Sequence, residues 1–413
     1  MAKNFSFQIT SKDNSSYARS GIIHTARGKI ETPCLVPVAT RGNILCLTEK
    51  DIKNLNIPAL LTNTYHLHFK PGDKTIKEMG GVHKFINFNL PIFTDSGGFQ
   101  AFSLGLGKQT NARKIGFFPN NNALTKKVVE SFSNVTEEGV YFTSVYDEKI
   151  VSFMGPKESM QIQSNLDSDI IMAFDECTSA SSNKAYIRES MLRSHRWELE
   201  SLKYHNEKQA IYGIIHGGWY KDLRIESTKF ILSHHFDGIA IGGSLGKTKK
   251  DMYKILKWIS PLFEKDNRPV HMLGIGQIDD IFECVEQGID TFDCVEMTRL
   301  ARHNELYISP KSGGNIKNKF RMKIRRKYFS NQKLPIDSSC ICQTCKNYTR
   351  AELHNLYHKM SLKVNKNNIE MKIDYGKKAT IHNIHFILDL MRQIRESIKD
   401  GTFKELKKEW INK

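Results

Sequence analysis

The chain has 413 residues, with 61 Lys and Arg against 44 Asp and Glu, for a formal net charge of +17. A composition of 39% hydrophobic and 25% charged residues excludes a collagen-like, mucin-like or wholly disordered polymer, and no run nears the ~18 apolar residues of a membrane span. The start, Met1 to Thr10, lacks a basic-then-apolar leader pattern, so the expected location is the cytoplasm. Excess positive charge has two readings: a polyanionic partner, nucleic acid first, or a lysine-rich solvated surface with no partner at all.

From about Phe5 to Gly314, short apolar runs alternate with longer amphipathic stretches. Strand-like runs are Ala59–Thr62, Pro91–Thr94, Ile170–Phe174, Ala210–Ile215, Gly238–Ile241, His271–Ile275 and Thr291–Val295. Helix-like stretches such as Tyr186–His205 and Lys249–Glu264 lie between them. Repeated strand-then-helix units over this length predict an α/β protein, a closed (β/α)8 TIM barrel rather than an open sheet.

Polar chemistry stands just after the runs: Asp95, Asp175, His216 and Asp293. In a parallel barrel such positions lie on the C-terminal face, where active sites are built. Any one of them could instead cap a helix; a set of them after strands points to function. Two regions break the alternation. Residues 105–138 are Asn- and Lys-rich and read as an insertion. Residues 311–333 follow, with eight Lys or Arg between Lys311 and Lys327 and no acid. The barrel is therefore expected over 1–314 and a smaller metal-binding, helical subdomain over 315–413. Within that subdomain, helices at 348–363 and 381–412 flank a polar linker at 364–379.

Of eight cysteines, five are scattered and read as small core residues of a reducing compartment. Cys340, Cys342 and Cys345 form Cys-x-Cys-x-x-Cys. Three thiols so close cannot all pair with one another, and they suit a soft metal that needs a fourth ligand. His354, His358, His382 and His385 are all near enough in sequence.

Asp95-Ser96-Gly97-Gly98-Phe99-Gln100 joins a carboxylate, two glycines that let backbone approach a flat ligand, and an aromatic ring that can stack on it. Asp175-Glu176-Cys177, Gly217-Gly218 and Gly242-Gly243 add carboxylates and backbone N–H groups. Carboxylates on separate strands allow one to attack while another moves protons. The residues describe a barrel enzyme acting on a nucleobase or similar planar ring.

Asn63-Thr-Tyr-His-Leu67, Phe93-Thr-Asp-Ser-Gly-Gly-Phe-Gln100, Met172-Ala-Phe-Asp-Glu-Cys-Thr178, Ala240-Ile-Gly-Gly243, Phe292-Asp-Cys-Val295, Thr298-Arg299 with Ala301-Arg302, and the Cys motif followed by Thr380-Ile-His-Asn383 occur in one order. Together they resemble the bacterial branch of the queuine/tRNA-guanine transglycosylase family, over about residues 5 to 410. The resemblance implies exchange of guanine at wobble position 34 of GUN-anticodon tRNAs for a free 7-deazaguanine base, in queuosine modification, by a homodimer with one structural Zn2+ per subunit. It implies Asp293 as nucleophile and Asp95 as general acid/base. The base would lie among Ser96, Gly97, Gly98, Phe99, Asp175, His216, Gly243, Gly246 and Leu273. The RNA would meet Gly274, Ile275, Gly276, Gln277, Ile278, Asp279 and Asp280, and then Thr298, Arg299, Leu300, Ala301 and Arg302. Cys340, Cys342, Cys345 and His382 would hold the zinc. A relative acting on DNA, or a non-catalytic tRNA-binding homologue, are the competing readings; the presence of both Asp95 and Asp293 speaks against the latter.

The chain departs from the family pattern at a few places. His216 stands where Gln is usual, Thr248 where Glu is usual, and Leu273 where Met is usual. Gly246 stands at a Val position in bacterial relatives, which predicts more room for a bulky 7-substituent and so acceptance of queuine itself over 7-aminomethyl-7-deazaguanine.

Overall fold

The computed structural model describes residues 2–102, 133–146, 151–361 and 366–411. It opens with an antiparallel sheet of β1 (Ser6–Lys12), β2 (Arg19–Thr25) and β3 (Gly28–Thr32). A parallel sheet then begins with β4 (Cys34–Pro37), β5 (Leu60–Thr62) and β6 (Ile92–Thr94). A second antiparallel sheet intervenes, made of β7 (Ser133–Val135), β8 (Val140–Thr143) and β9 (Val151–Met154). The parallel sheet resumes with β10 (Ile170–Met172), β11 (Ala210–Ile215), β12 (Gly238–Ile241), β13 (Val270–Met272) and β14 (Thr291–Cys294). Its order is β4-β14-β13-β12-β11-β10-β6-β5, and a parallel bridge from Val38 to Leu61 brings the two end strands together. The expected eight-stranded barrel is present.

All seven apolar runs fall on barrel strands, because a strand buried on both faces carries no polar alternation. One set of side chains, among them Val36, Leu61, Phe93, Ile170, Met172, Tyr212, Ile214 and Ala240, fills the interior. Their sequence neighbours, including Leu35, Leu60, Ile92, Ile171, Ile211, Ile239, Met272 and Phe292, meet the outer helices. This period of two is what the pleat imposes. The eighth strand, β4, follows the antiparallel β1–β3 sheet, so alternation does not start at Phe5 as the sequence suggests. That sheet plugs one end of the barrel: Phe5, Phe7, Ile23 and Ile30 join the interior cluster, and the Ala2 N–H donates to Asp237 at the start of β12 (2.9 Å). The N-terminal end of the barrel is closed, which leaves the C-terminal end for chemistry.

Residues 105–132 of the expected insertion lie outside the described residues. Its tail, 133–138, enters the β7–β8 hairpin. Glu137 there ties the hairpin to the Lys184–Tyr204 helix, its carboxylate meeting Arg193 (3.0 Å) and its carbonyl accepting from the Trp197 indole (2.6 Å).

After β14 a short helix, Glu296–Arg302, leads to the hairpin of β15 (Glu305–Tyr307) and β16 (Arg321–Lys323). The expected polar linker at 364–379 is not a linker: one helix runs over Lys366–Lys399, followed by Phe403–Ile411. Tyr375 and Ala379, one turn apart, bury into a small core with Leu306, Ile324 and Leu353. The neighbouring charges find ion partners, Lys377 on Asp51 (2.8 Å) and Lys378 on Asp374 a turn away. Further on, Ile381, Ile384, Ile387, Leu390, Met391, Ile394 and Ile398 join the main core, so this helix supplies an outer wall for the barrel near β4. Among the described residues, no helix is long and apolar enough to cross a membrane.

Candidate active site

Three carboxylates gather at the open end. Asp95 directly follows β6. Its Oδ1 accepts the Thr64 N–H (2.8 Å), the Asn63 amide donates to Oδ2, and the Thr64 hydroxyl donates to the Asp95 carbonyl (2.5 Å). Asn63 and Thr64 start the Thr64–Phe69 helix after β5, and the Asn63 side-chain oxygen also caps that helix by accepting the His66 N–H. Burial pushes the Asp95 carboxyl up to about 7, the charges of Asp293 and Asp175 adding to the rise while the Thr64 bonds oppose it. A carboxyl near 7 is poised both to give and to take a proton.

Asp175 follows β10. The Ser96 hydroxyl donates to its Oδ1 (2.9 Å), and burial, with Glu176 adding, lifts it to about 7 as well. His216, at the end of β11, places Nε2 3.4 Å from Asp175 Oδ2. That nitrogen is buried without a hydrogen-bond partner, and burial, with the Arg224 charge adding, holds the ring well below its usual range and therefore neutral. Asp293 lies within β14. Its Oδ1 accepts the Gly274 N–H (2.8 Å) and sits 3.2 Å from His271 Nε2, and its side chain is 15% exposed.

Backbone shape between these groups depends on glycine at two points. Gly243 has φ +66°, and a Cβ there would lie 3.1 Å from His216 Nδ1; a Cβ on Gly98 would meet the Asp175 carbonyl at 2.7 Å. Arg224 organises the same rim from below. Fully buried, its guanidinium donates to the carbonyls of Gly218 (2.7 Å), Ile215 (2.8 Å), Gly242 (3.0 Å) and Ser244 (2.8 Å). Burial pulls its pKa down to about 9. One side chain thus pins the turns after β11 and β12 together.

Away from the rim, the sulfurs of Cys340, Cys342 and Cys345 lie 3.6, 3.6 and 3.3 Å from His382 Nδ1. All four ligand atoms fall within 4.8 Å of one another. A tetrahedral ion with bonds of ~2.3 Å to sulfur and ~2.0 Å to nitrogen needs separations of roughly 3.5–3.8 Å, so the donor set fits. His382 Nε2 sits 2.8 Å from the Tyr307 carbonyl, which fixes the proton there and leaves Nδ1 for the metal. His354 is turned away, its Nδ1 on the Ile324 carbonyl (2.8 Å), and His358 faces the Arg325 carbonyl. His385 approaches only Cys340, at 3.6 Å.

Comparison with known proteins agrees with this architecture. Residues 13–413 match the family model described as queuine tRNA-ribosyltransferase. The chain is 46% identical to a putative queuine tRNA-ribosyltransferase of Archaeoglobus fulgidus, over 95% of this chain and 96% of that protein. It is 38% identical to the queuine tRNA-ribosyltransferase of Roseiflexus sp., covering 98% of each, and 39% identical to that of Thermodesulfovibrio yellowstonii, covering 98% and 94%. The chain belongs to the queuine tRNA-ribosyltransferase family.

A member of this family is a transferase that moves a pentosyl group in tRNA modification, and most of the residues expected to handle the base do meet. Asp95, Ser96, Asp175, His216, Gly243 and Asp293 are linked at one rim, and Phe99 presents a ring 38% exposed. Leu273 packs at the top of the interior cluster, a Cβ on Gly242 coming within 3.2 Å of its Cδ1. Gly246 has a local reason to be glycine as well. Its φ is +92°, and a Cβ would lie 2.4 Å from the Asp251 Cβ. Asp251 and Thr248 form the capping box of the Lys249–Phe263 helix, so both Gly246 and Thr248 serve that cap.

The expected RNA-contacting stretches divide by burial. Ile275, Ile278, Asp280, Thr298, Leu300 and Ala301 are buried and hold the starts of helices Ile278–Glu286 and Glu296–Arg302 in place. Asp280 takes the Tyr253 hydroxyl (2.6 Å) and Lys249 (3.0 Å), and Asp279 also pairs with Lys249. Gly274 serves Asp293, and Gly276 lies where a Cβ would strike Cys294 at 2.5 Å. Arg299 is exposed, while Gln277 and Arg302 are partly so. In the basic segment, Lys311, Lys317, Lys319, Arg325, Arg326 and Lys327 are exposed with no ion pair among the described residues, whereas Arg321 is spent on Glu296 (2.7 Å).

Sequence reasoning missed Asn63, Thr64, Arg224 and His271 as working residues. Asn63-Thr64 directly after an apolar strand carries a cap signal that also fits a rim position. Arg224 and His271 carry no local signal: one sits on a helix and the other inside a strand.

Proposed function

We propose that this chain exchanges the guanine at wobble position 34 of GUN-anticodon tRNAs for a free 7-deazaguanine base, queuine or 7-aminomethyl-7-deazaguanine, by double displacement. The observation that supports it most is the pairing of Asp95, a half-buried carboxyl near 7, with Asp293, a carboxylate held on one oxygen and partly exposed. The target nucleotide leaves its stack and enters the rim, where the Phe99 ring covers the base. An Asp293 oxygen attacks C1′ of the ribose as the C1′–N9 bond breaks, and Asp95 supplies a proton to the departing guanine. Asp95 then takes a proton from the incoming base, whose N9 displaces the carboxylate. Asp175 accepts from the Watson–Crick edge, the Gly243 N–H donates, and neutral His216 adds a donor beside Asp175.

The RNA backbone lies along Arg299, Arg302 and the basic segment after residue 311, contacts that carry affinity rather than sequence. Cys340, Cys342, Cys345 and His382 hold a structural Zn2+; four protein ligands leave no position open for substrate. The working unit is a homodimer in the cytoplasm. The test is incorporation of labelled guanine into GUN-anticodon tRNA. Exchange there and not on DNA is expected; exchange only on DNA, or none with tRNA despite binding, refutes the substrate assignment. Competition between queuine and its aminomethyl precursor then names the base.

A further inference from the structure

His271 is fully buried in β13, one strand away from Asp293, and the role just proposed for Asp293 gives it no task. Its ring stacks on Phe93 (centroids 5.6 Å apart, planes at 25°). Nδ1 lies 2.9 Å from the Thr291 hydroxyl and Nε2 3.2 Å from Asp293 Oδ1. If the Thr291 hydroxyl donates to Nδ1, a neutral ring carries its proton on Nε2, aimed at the carboxylate. With the Gly274 N–H, Oδ1 receives two donors. Oδ2 has no hydrogen bond among the described residues, on a side chain that is partly exposed.

We infer that His271 is a positioning residue that, with Gly274, makes Oδ1 the held oxygen of Asp293 and leaves Oδ2 as the attacking one. The inference rests on the covalent mechanism proposed above. In the forward step, Oδ2 bonds to C1′ as the C1′–N9 electron pair leaves with the base. In the return step, the C1′–Oδ2 bond breaks and its pair returns to the carboxylate. The two donors to Oδ1 interact more strongly with a carboxylate than with an ester carbonyl, so they favour release of the ribose and keep the adduct from becoming a sink. Thr291 sets the tautomer; without it Nε2 can present a lone pair to the carboxylate instead of a proton.

Three variants test this. H271F keeps the ring and its packing on Phe93 but removes the donor; H271Q keeps a donor of similar reach; T291V removes the hydroxyl that fixes the tautomer. For H271F, kcat should fall roughly 10²-fold, the size of losing one well-placed donor, with KM for tRNA within about twofold and a larger fraction of enzyme trapped as adduct on acid quench. H271Q should stay within about tenfold of the parent. T291V should lose several-fold in kcat, and it decides the matter if H271F fails to fold by circular dichroism. H271F within threefold of the parent, a folded H271Q as impaired as H271F, or an unchanged T291V would each overturn the inference. Absence of any RNA adduct in the unaltered enzyme would instead overturn the covalent reading, and the two failures are thereby separable.

Discussion

Arg224→Lys is the most telling perturbation of the rim, because it keeps the charge and removes the geometry. The guanidinium satisfies four carbonyls on two turns with a fixed fork of donors, all of them out of solvent. A lysine ammonium on its flexible stem can meet one or two of the four. The Ile215 carbonyl still accepts the Gly242 N–H (3.2 Å), so Gly218, Gly242 and Ser244 carry the loss. Leaving about two buried carbonyls unpaired at ~1–3 kcal/mol each gives roughly 2–6 kcal/mol of destabilisation. For a chain of this length that corresponds to a fall in Tm of roughly 2–7 °C. The same turns carry Gly243 and His216, so affinity for the free base should fall at least tenfold while tRNA binding changes little. Urea denaturation and base titration by calorimetry measure both. A loss under ~1 kcal/mol with unchanged base affinity would refute the reasoning that one arginine holds these turns.

Other outcomes follow from the charges and the metal site. Asp175 has its folded pKa raised from 3.8 to about 7, so the folded state takes up a proton between those values that the unfolded chain does not; its contribution to stability is full below about 4 and is lost as pH rises through 7. Asp175→Asn should therefore raise Tm at pH 8, leave it nearly unchanged at pH 4, and abolish base binding; equal shifts at both pH values would contradict the assignment. Strong chelation, or Cys342→Ser, should release about one equivalent of zinc and lower Tm by several degrees through loss of the small core around Tyr375 and Leu353, while the barrel's own far-ultraviolet signal largely persists; retention of full stability without metal would argue against a structural ion. Replacing Lys317, Lys319, Arg325 and Arg326 with Glu should weaken tRNA binding and flatten the slope of log K against log salt by about one unit for each phosphate no longer neutralised. An unchanged slope would move the RNA to another face.

Much of this molecule was legible because burial writes itself into strand composition. Ile170–Phe174 and Ala210–Ile215 are apolar throughout because both faces of those strands are covered, and the polar residue after each run marks the barrel's open rim. The Cys-x-Cys-x-x-Cys cluster is equally plain in sequence, although only the turn of His382 toward the sulfurs, and of His354 toward Ile324, picks the fourth ligand without reference to relatives. Other features depend on contacts between residues far apart in the chain. The polar 366–379 segment is helical because Tyr375 and Ala379 find a core contributed by residues 306–353. Arg224 matters through carbonyls on two loops, and His271 through a carboxylate one strand away. Gly246 carries a reason that the sequence does not display: besides any room it leaves for a ligand, its absent side chain makes way for Asp251.

Whether Asp293 becomes joined to the ribose is read from a denaturing gel of enzyme mixed with GUN-anticodon tRNA, run for the unaltered chain and for Asp293→Asn. The substituted amide keeps an oxygen that can accept the Gly274 N–H, so the rim holds its shape and native-gel binding of tRNA should persist. A protein–RNA band resistant to denaturant is expected for the unaltered chain alone, with the modified peptide containing Asp293. A band of equal strength in Asp293→Asn would show that Asp293 is not the nucleophile.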